Sequence, residues 1–369
     1  MRLDRTVAAL EKGRVDGYHP GAQLEVVLHG EVVGSVAIGD ARPGVAMAVD
    51  TLLPWFSCTK AVTAAAVAQQ WERGRVDLDA PVAAYLPEFA AGGKDAITLR
   101  HVLTHTGGFR SVEGSVWRGS WDEAVAMIAA APLEDGWVPG ERAGYHDVTG
   151  FMILGEVVRR VDPHGRSFAD YVSEEIFEPL DMPDSWIALT ERRFEAYGDR
   201  VGFMYDTSKK AEPRVIPGYE DGRAFRKPQP SGSGVGPMRD LVRFAEMLRC
   251  RGELDGHRVL ATETVDAMLT PQRVGLVDET FGMVIDWGLG LILNSFHYRN
   301  RPTSYGYGKH ASRRAVGHGG RQSSAMFCDP EVGLSVAVCC NGMPGEPGHH
   351  RRMQPVLTAI YEDLGLIGS

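Results

Sequence analysis

The chain has 369 residues, 44% of them hydrophobic and 24% charged, with a net charge of −9. This is the profile of an ordinary globular protein with room for more than one core, and without a basic stripe it points away from nucleic acid. The N-terminus lacks an apolar signal region and no apolar run is long enough for a bilayer, so no membrane partner and a cytoplasmic location are expected.

In chain order, Leu3 to Arg14 carries the apolar spacing of an amphipathic helix. Gln23–Leu28 and Glu31–Ile38 are rich in Val and Ile around His29-Gly30, which reads as a β-hairpin. An Ala-rich helix follows from Ser57 and should stop at Gly74. Helical periodicity then dominates to about residue 284, at Trp121–Ala131, Val148–Val161, Phe168–Phe177 and Asp240–Arg251, the last closed by Gly252 as its C-terminal glycine. The segment 198–236 is rich in Gly and Pro and reads as a lid or binding loop. Strand chemistry returns at Trp287–Leu293, Ser324–Asp329 and Leu334–Cys340, and a last helix is expected from about Met353 to Leu364. The expected fold is α/β of the α+β type. One antiparallel β-sheet is built from both chain ends (1–80 and 285–369) and flanked by helices, with an all-helical subdomain inserted over 81–284.

The chemistry concentrates at Ser57-Cys58-Thr59-Lys60, the only Ser-x-x-Lys in the chain. Residues three apart share a helix face, so the lysine amine can reach the serine hydroxyl, and a buried neutral amine can act as its base. Spacing alone favours a serine cap beside a solvated lysine. The helix start after Pro54 reverses that, because backbone N–H groups and the helix dipole there favour developing negative charge. Two further segments offer partners: Tyr145 in Pro139-Gly140…Tyr145-His146-Asp147, and His318-Gly319-Gly320 ahead of a strand, where glycines admit close backbone approach. His101 and His105 have i, i+4 spacing but lack the glutamate of a zinc motif, so they read as structural and no metal or cofactor is expected. The five cysteines (Cys58, Cys250, Cys328, Cys339, Cys340) show no C-x-x-C spacing and read as structural thiols. Trp117, Trp121 and Trp137 fit an acyl pocket and helical packing equally well.

These landmarks resemble the serine β-lactamase-like family: class C β-lactamases, DD-peptidases, family VIII esterases and transacylases. Besides Trp55–Lys60, the segments Thr98–Gly108, Pro139-Gly140 with Tyr145, Ile176–Met182, Ser233–Gly236 and Gly317–Gly320 occur in the family's order. The resemblance implies Ser57 as nucleophile, Lys60 as the adjoining amine, and Tyr145 as a second acid/base held as phenolate by nearby cations. It also implies an oxyanion hole from the backbone N–H groups of Ser57 and Arg321, and substrate contacts at His318, Gly319, Gly320, Asp147 and His146.

Two departures stand out. Tyr145-His146-Asp147 replaces the family's Tyr-Ser/Ala-Asn, and His318-Gly319-Gly320 replaces Lys-Thr-Gly. An anion is gained and a cation lost, although Arg321 could restore it, so an anionic β-lactam fits poorly. The expected function is a serine esterase or transacylase taking a small-molecule acyl donor and water, an amine or an alcohol. Alternatives are an amine-accepting transacylase forming an amide in natural-product assembly, or a non-catalytic scaffold. The scaffold predicts loss of Ser57, Lys60 or Tyr145, and all three are present. There is no Gly-x-Ser-x-Gly elbow of an α/β-hydrolase.

Overall fold

Two apolar stretches from opposite ends of the chain, Gly21–Leu28 and Leu334–Cys340, lie side by side as antiparallel neighbours in the computed structural model, which describes residues 2–112, 119–298 and 305–367. They are the centre of a seven-stranded sheet. Its strands are β1 (Gly21–Leu28), β2 (Glu31–Arg42), β3 (Val45–Ala46), β4 (Ile292–Leu293), β5 (Val316–Gly320), β6 (Ser324–Asp329) and β7 (Leu334–Cys340), in the order β4-β5-β6-β7-β1-β2-β3. The β1–β2 hairpin turns at His29-Gly30, both with positive φ (51° and 90°), as a two-residue turn matched to strand twist requires.

β1, β6 and β7 are buried on both faces; β6 and β7 accordingly run largely apolar, whereas β1 alternates, with Gln23 and Glu25 buried on its second face. On one face, Leu24, Val26, Val336 and Val338 pack against α1 (Asp4–Val15) and the C-terminal helix, with Leu10, Val356 and Ile360 opposite them. On the other, Met326, Cys328 and Cys339 share a core with the first part of the chain's helical block. That core is organised around α2 (Thr59–Glu72), whose residues Thr59 to Gln70 are all buried. Its run of alanines lets neighbours approach from every side, and a helix apolar all round belongs in the interior. α2 packs against α3 (Thr149–Val161), and α4 (Met238–Arg249) packs against β1, β6 and β7. No helix among the described residues is long and apolar enough to cross a membrane.

Several local details differ from expectation. α2 stops as anticipated: Gly74 (φ 68°) follows its last turn, with the Gly74 and Arg75 N–H groups donating to Trp71 and Gln70. α4 closes with the same bond pattern, but Arg251 (φ 56°) occupies the position expected for glycine and Gly252 (φ 97°) follows it. His318-Gly319-Gly320 precedes β6 as expected and is itself the end of a strand, β5. Of Trp287–Leu293, only Ile292–Leu293 joins the sheet, Trp287 making single bridges to Arg273 and Ile292. The last helix, α5 (Glu346–Asp363), starts about two turns earlier than its apolar pattern. Pro347 sits in the first turn, where a missing N–H leaves no bond unmade. The 198–236 segment carries its own small core, in which Phe203, Met204, Tyr205, Tyr219 and Phe225 are buried with Leu52 and Val201.

Candidate active site

Ser57 lies in a tight 3₁₀ turn, Phe56–Cys58, that feeds directly into α2. The chain enters it through Phe56 with φ 49°, a left-handed conformation that a bulky residue adopts only under constraint. The constraints are visible. The Trp55 N–H donates to Gly234 O (2.8 Å), Thr59 Oγ1 donates to Phe56 O (2.6 Å), and Ser324 Oγ donates to Trp55 O (2.8 Å). Cys58 Sγ donates to His318 O at 3.1 Å, tying the Ser57 turn to β5. That small buried thiol is pushed up to about 12 by desolvation, so it is an unreactive packing group.

One turn on, Lys60 is fully buried, with Nζ 3.1 Å from Ser57 Oγ. Nζ also donates to two backbone carbonyls, Asp147 O (2.7 Å) and Ser231 O (2.9 Å). Burial pulls its pKa down to about 7, against a partial upward pull from Asp147. Near neutral pH a large share of the amine is therefore uncharged. A neutral amine has two hydrogens, and two carbonyls claim them, so its lone pair faces the Ser57 hydroxyl. The site thus orients a base as well as supplying one.

Tyr145 is buried beside them, its ring centroid 4.9 Å from Lys60 Nζ. Burial raises its phenol well above the usual tyrosine value, with hydrogen bonding to Ser57 opposing this only in part. The phenolate expected from the resemblance is corrected here. Desolvation is reinforced by the nearby Asp147 carboxylate, and the free site holds a neutral phenol.

His318 is 1% exposed, and burial pulls it down to about 3. Its Nδ1 lies 2.7 Å from Gly319 O, an acceptor only, so Nδ1 carries the proton and Nε2 is left as a lone pair without a partner among the described residues. His318 is a neutral wall of the site, not a substitute cation. His146 does not reach the site at all. Its ring is fully buried, its Nε2 accepts from the Phe109 N–H (3.3 Å), and its backbone N–H donates to His105 Nδ1 (2.9 Å). It holds loops together, which corrects its assignment as a substrate contact. His101 likewise completes a reciprocal cap with Thr98.

Asp147 and Arg321 face each other across the mouth at 3.6 Å, with side chains 57% and 58% exposed. With Ser57 they line two cavities. One, of about 300 Å³, runs past Tyr145, His318 and Tyr305 to α5, and the other, of about 330 Å³, runs past Phe56, Tyr219 and Phe225. Trp121 and Trp137 line neither; they donate to Glu156 and to Thr106 O. Trp117 lies outside the described residues.

A support that sequence reasoning missed is the buried pair Arg273–Asp278 (3.0 Å, 1% and 0% exposed). Asp278 Oδ1 accepts from the backbone N–H groups of Tyr145, Thr280 and Phe281, fixing the tyrosine loop. Asp278→Ala strands a buried guanidinium and should lower stability by about 3–5 kcal/mol, seen as an earlier urea midpoint, with activity lost alongside.

A family model described as "Beta-lactamase" matches residues 3–359. Among curated proteins, the chain is 29% identical over 368 residues to "Esterase EstB" of Burkholderia gladioli, covering 88% of each. It is 25% identical over 388 residues to "Esterase/beta-lactamase LipL" of Mycobacterium tuberculosis, covering 99% of this chain and 83% of that one. Among solved structures, a penicillin-binding protein homolog from Caulobacter crescentus superposes with a TM-score of 0.77 at 30% identity, covering 98% and 97% of the two chains. A family VIII carboxylesterase superposes at 0.77 with 28% identity, covering 96% of each.

Proposed function

The chain belongs to the β-lactamase family and is a serine hydrolase, and from that premise we propose that it cleaves small carboxylic esters through an acyl-enzyme on Ser57. The observation that carries this reading is the buried, half-neutral Lys60 whose lone pair is aimed at Ser57 Oγ. Lys60 takes the serine proton as Oγ attacks the ester carbonyl. The backbone N–H groups of Ser57 and Arg321 receive the charge that forms on the carbonyl oxygen. Tyr145 gives its phenolic proton to the departing alkoxide and regains one from Lys60. Deacylation runs the same steps in reverse with the acceptor in place of the alcohol.

A second reading, transfer to an amine or alcohol, is favoured by the cavity of about 300 Å³ on the Tyr145 side, far larger than a water needs. A β-lactamase role is disfavoured because no lysine stands at position 318 and His318 is neutral.

Intact-mass measurement after mixing with p-nitrophenyl butyrate tests the acyl-enzyme. A butyryl adduct on Ser57, absent in Ser57→Ala, is the expected result. Turnover that survives Ser57→Ala would end the proposal. Faster loss of the adduct with an added amine than in water alone would select the transfer reading, and ester turnover should exceed that of nitrocefin.

A further inference from the structure

Ser57, Asp147 and Arg321 border both cavities, so an acyl carbon held at Ser57 has one part of the substrate on each side. The leaving atom has to meet the group that protonates it. Tyr145 borders only the cavity running toward α5, so the leaving group occupies that side and the acyl chain the other.

The two sides carry opposite charge. On the leaving-group side stand the carboxylates of Asp147 and Glu346 against the single guanidinium of Arg321. The three histidines there add nothing positive at neutral pH, because burial lowers His318 to about 3, His349 well below its ordinary value and His350 in the same direction. On the acyl side Arg223, Lys227 and Arg321 line the cavity, with Asp147 the one lining carboxylate among the described residues, above the apolar floor of Phe56, Tyr219 and Phe225.

The local ion pairs do not cancel this asymmetry. Arg223 is held by Asp221 at an exposed position, Lys227 donates to Gly119 O, and Asp147 and Arg321 are each more than half exposed. Exposed pairs of this kind are worth little, and a ligand charge can replace either partner.

We infer that the substrate is charged at both ends, with an anion on its acyl group and a cation on its leaving group or acceptor. This rests on the acyl-enzyme reading above. The cation approaches Asp147 and Glu346, with Phe281 and Tyr305 offering aromatic faces. The anion approaches Arg223 and Lys227, and the ester joining them spans the Asp147–Arg321 pair. A carboxylate stabilises a protonated amine, which has no lone pair for attack. The cation therefore sits beside the reacting atom while the charge is held, and an attacking amine must first release one proton to solvent before Tyr145 and Lys60 relay its second proton to Ser57 Oγ.

Two matched ester pairs test this on the full chain. Butyrylcholine against 3,3-dimethylbutyl butyrate changes only the leaving-group charge, and monophenyl glutarate against phenyl pentanoate changes only the acyl charge. Each charged ester should be preferred by roughly two- to fivefold in kcat/KM, the scale of exposed charge contacts, and the preference should shrink with added salt. Asp147→Asn and Glu346→Gln should collapse the first ratio, and Arg223→Gln and Lys227→Gln the second. Ratios within a pair cancel any uniform loss of activity. Turnover of the neutral esters without either preference, or preferences that survive the substitutions, would overturn the inference alone. Failure of every ester to acylate Ser57 would remove the acyl-enzyme reading and this inference with it.

Discussion

Lys60→Met should lower kcat/KM by roughly 10²–10⁴, the usual contribution of a positioned base, and should remove the pH dependence that the wild-type site carries. In the proposed mechanism the working base is the neutral amine, and burial has brought its pKa to about 7. The kcat/KM profile should therefore rise through about pH 7 and reach a plateau above it. Tyr145, raised well above its ordinary value, adds no falling limb below about pH 10. Stability gives a second readout. In the unfolded chain the lysine titrates near about 10.4, so between about pH 7 and 10 the unfolded state binds more protons than the folded one. Lys60 thus makes stability rise with pH across that window. The difference between wild-type and Lys60→Met unfolding free energies isolates this slope. A flat difference, or a wild-type activity midpoint near pH 10, would show that the amine is not desolvated as described.

Gly320→Ala should lower kcat by roughly 10²–10³ with a smaller change in KM. A Cβ at this position would overlap Trp55 O and Ser324 Oγ, the two atoms whose hydrogen bond clamps the start of β6 against the Ser57 turn. The backbone cannot absorb that overlap in place, so the Ser57 and Arg321 amides move apart. Gly319→Ala is the control. Its Cβ would meet the far end of a side chain, Tyr305 Oη at 2.0 Å, which can swing aside. Single-turnover acylation should separate the two, with a large loss for Gly320→Ala and a modest one for Gly319→Ala. Equal losses would count against an oxyanion site at this junction.

What the sequence made legible was local. The β1–β2 hairpin, the stop of α2 at Gly74 and the Ser57–Lys60 turn each depend on residues a few positions apart, where periodicity and backbone preference act directly. The pairing of both chain ends in one sheet was readable because apolar strand patterns occur nowhere else at that length. What stayed hidden was long-range and often carried by backbone. Lys60 owes its orientation to carbonyls 87 and 171 residues away, and any residue type has a carbonyl to offer. Asp278 grips the Tyr145 loop from 133 residues away, and a lone aspartate in a polar stretch gives no sign of that. His146 was misread because adjacency in sequence to Tyr145 says nothing about which way a side chain faces. The phenol of Tyr145 was misread because charge can be counted along a chain whereas burial cannot.

The pairing of β1 with β7 also sets a timetable for synthesis. The hairpin of β1 and β2 leaves the ribosome long before β7, so the edge of β1 that β7 covers stays open until residues 334–340 emerge. At ordinary translation rates that interval is roughly 15–60 s. Throughout it an apolar strand edge is available for pairing with other chains. Slow, chaperone-dependent maturation and loss to inclusion bodies at high expression are the natural outcome. Linking α1 to α5, which pack together, and opening the chain within the helical block would let the central strands form in immediate succession.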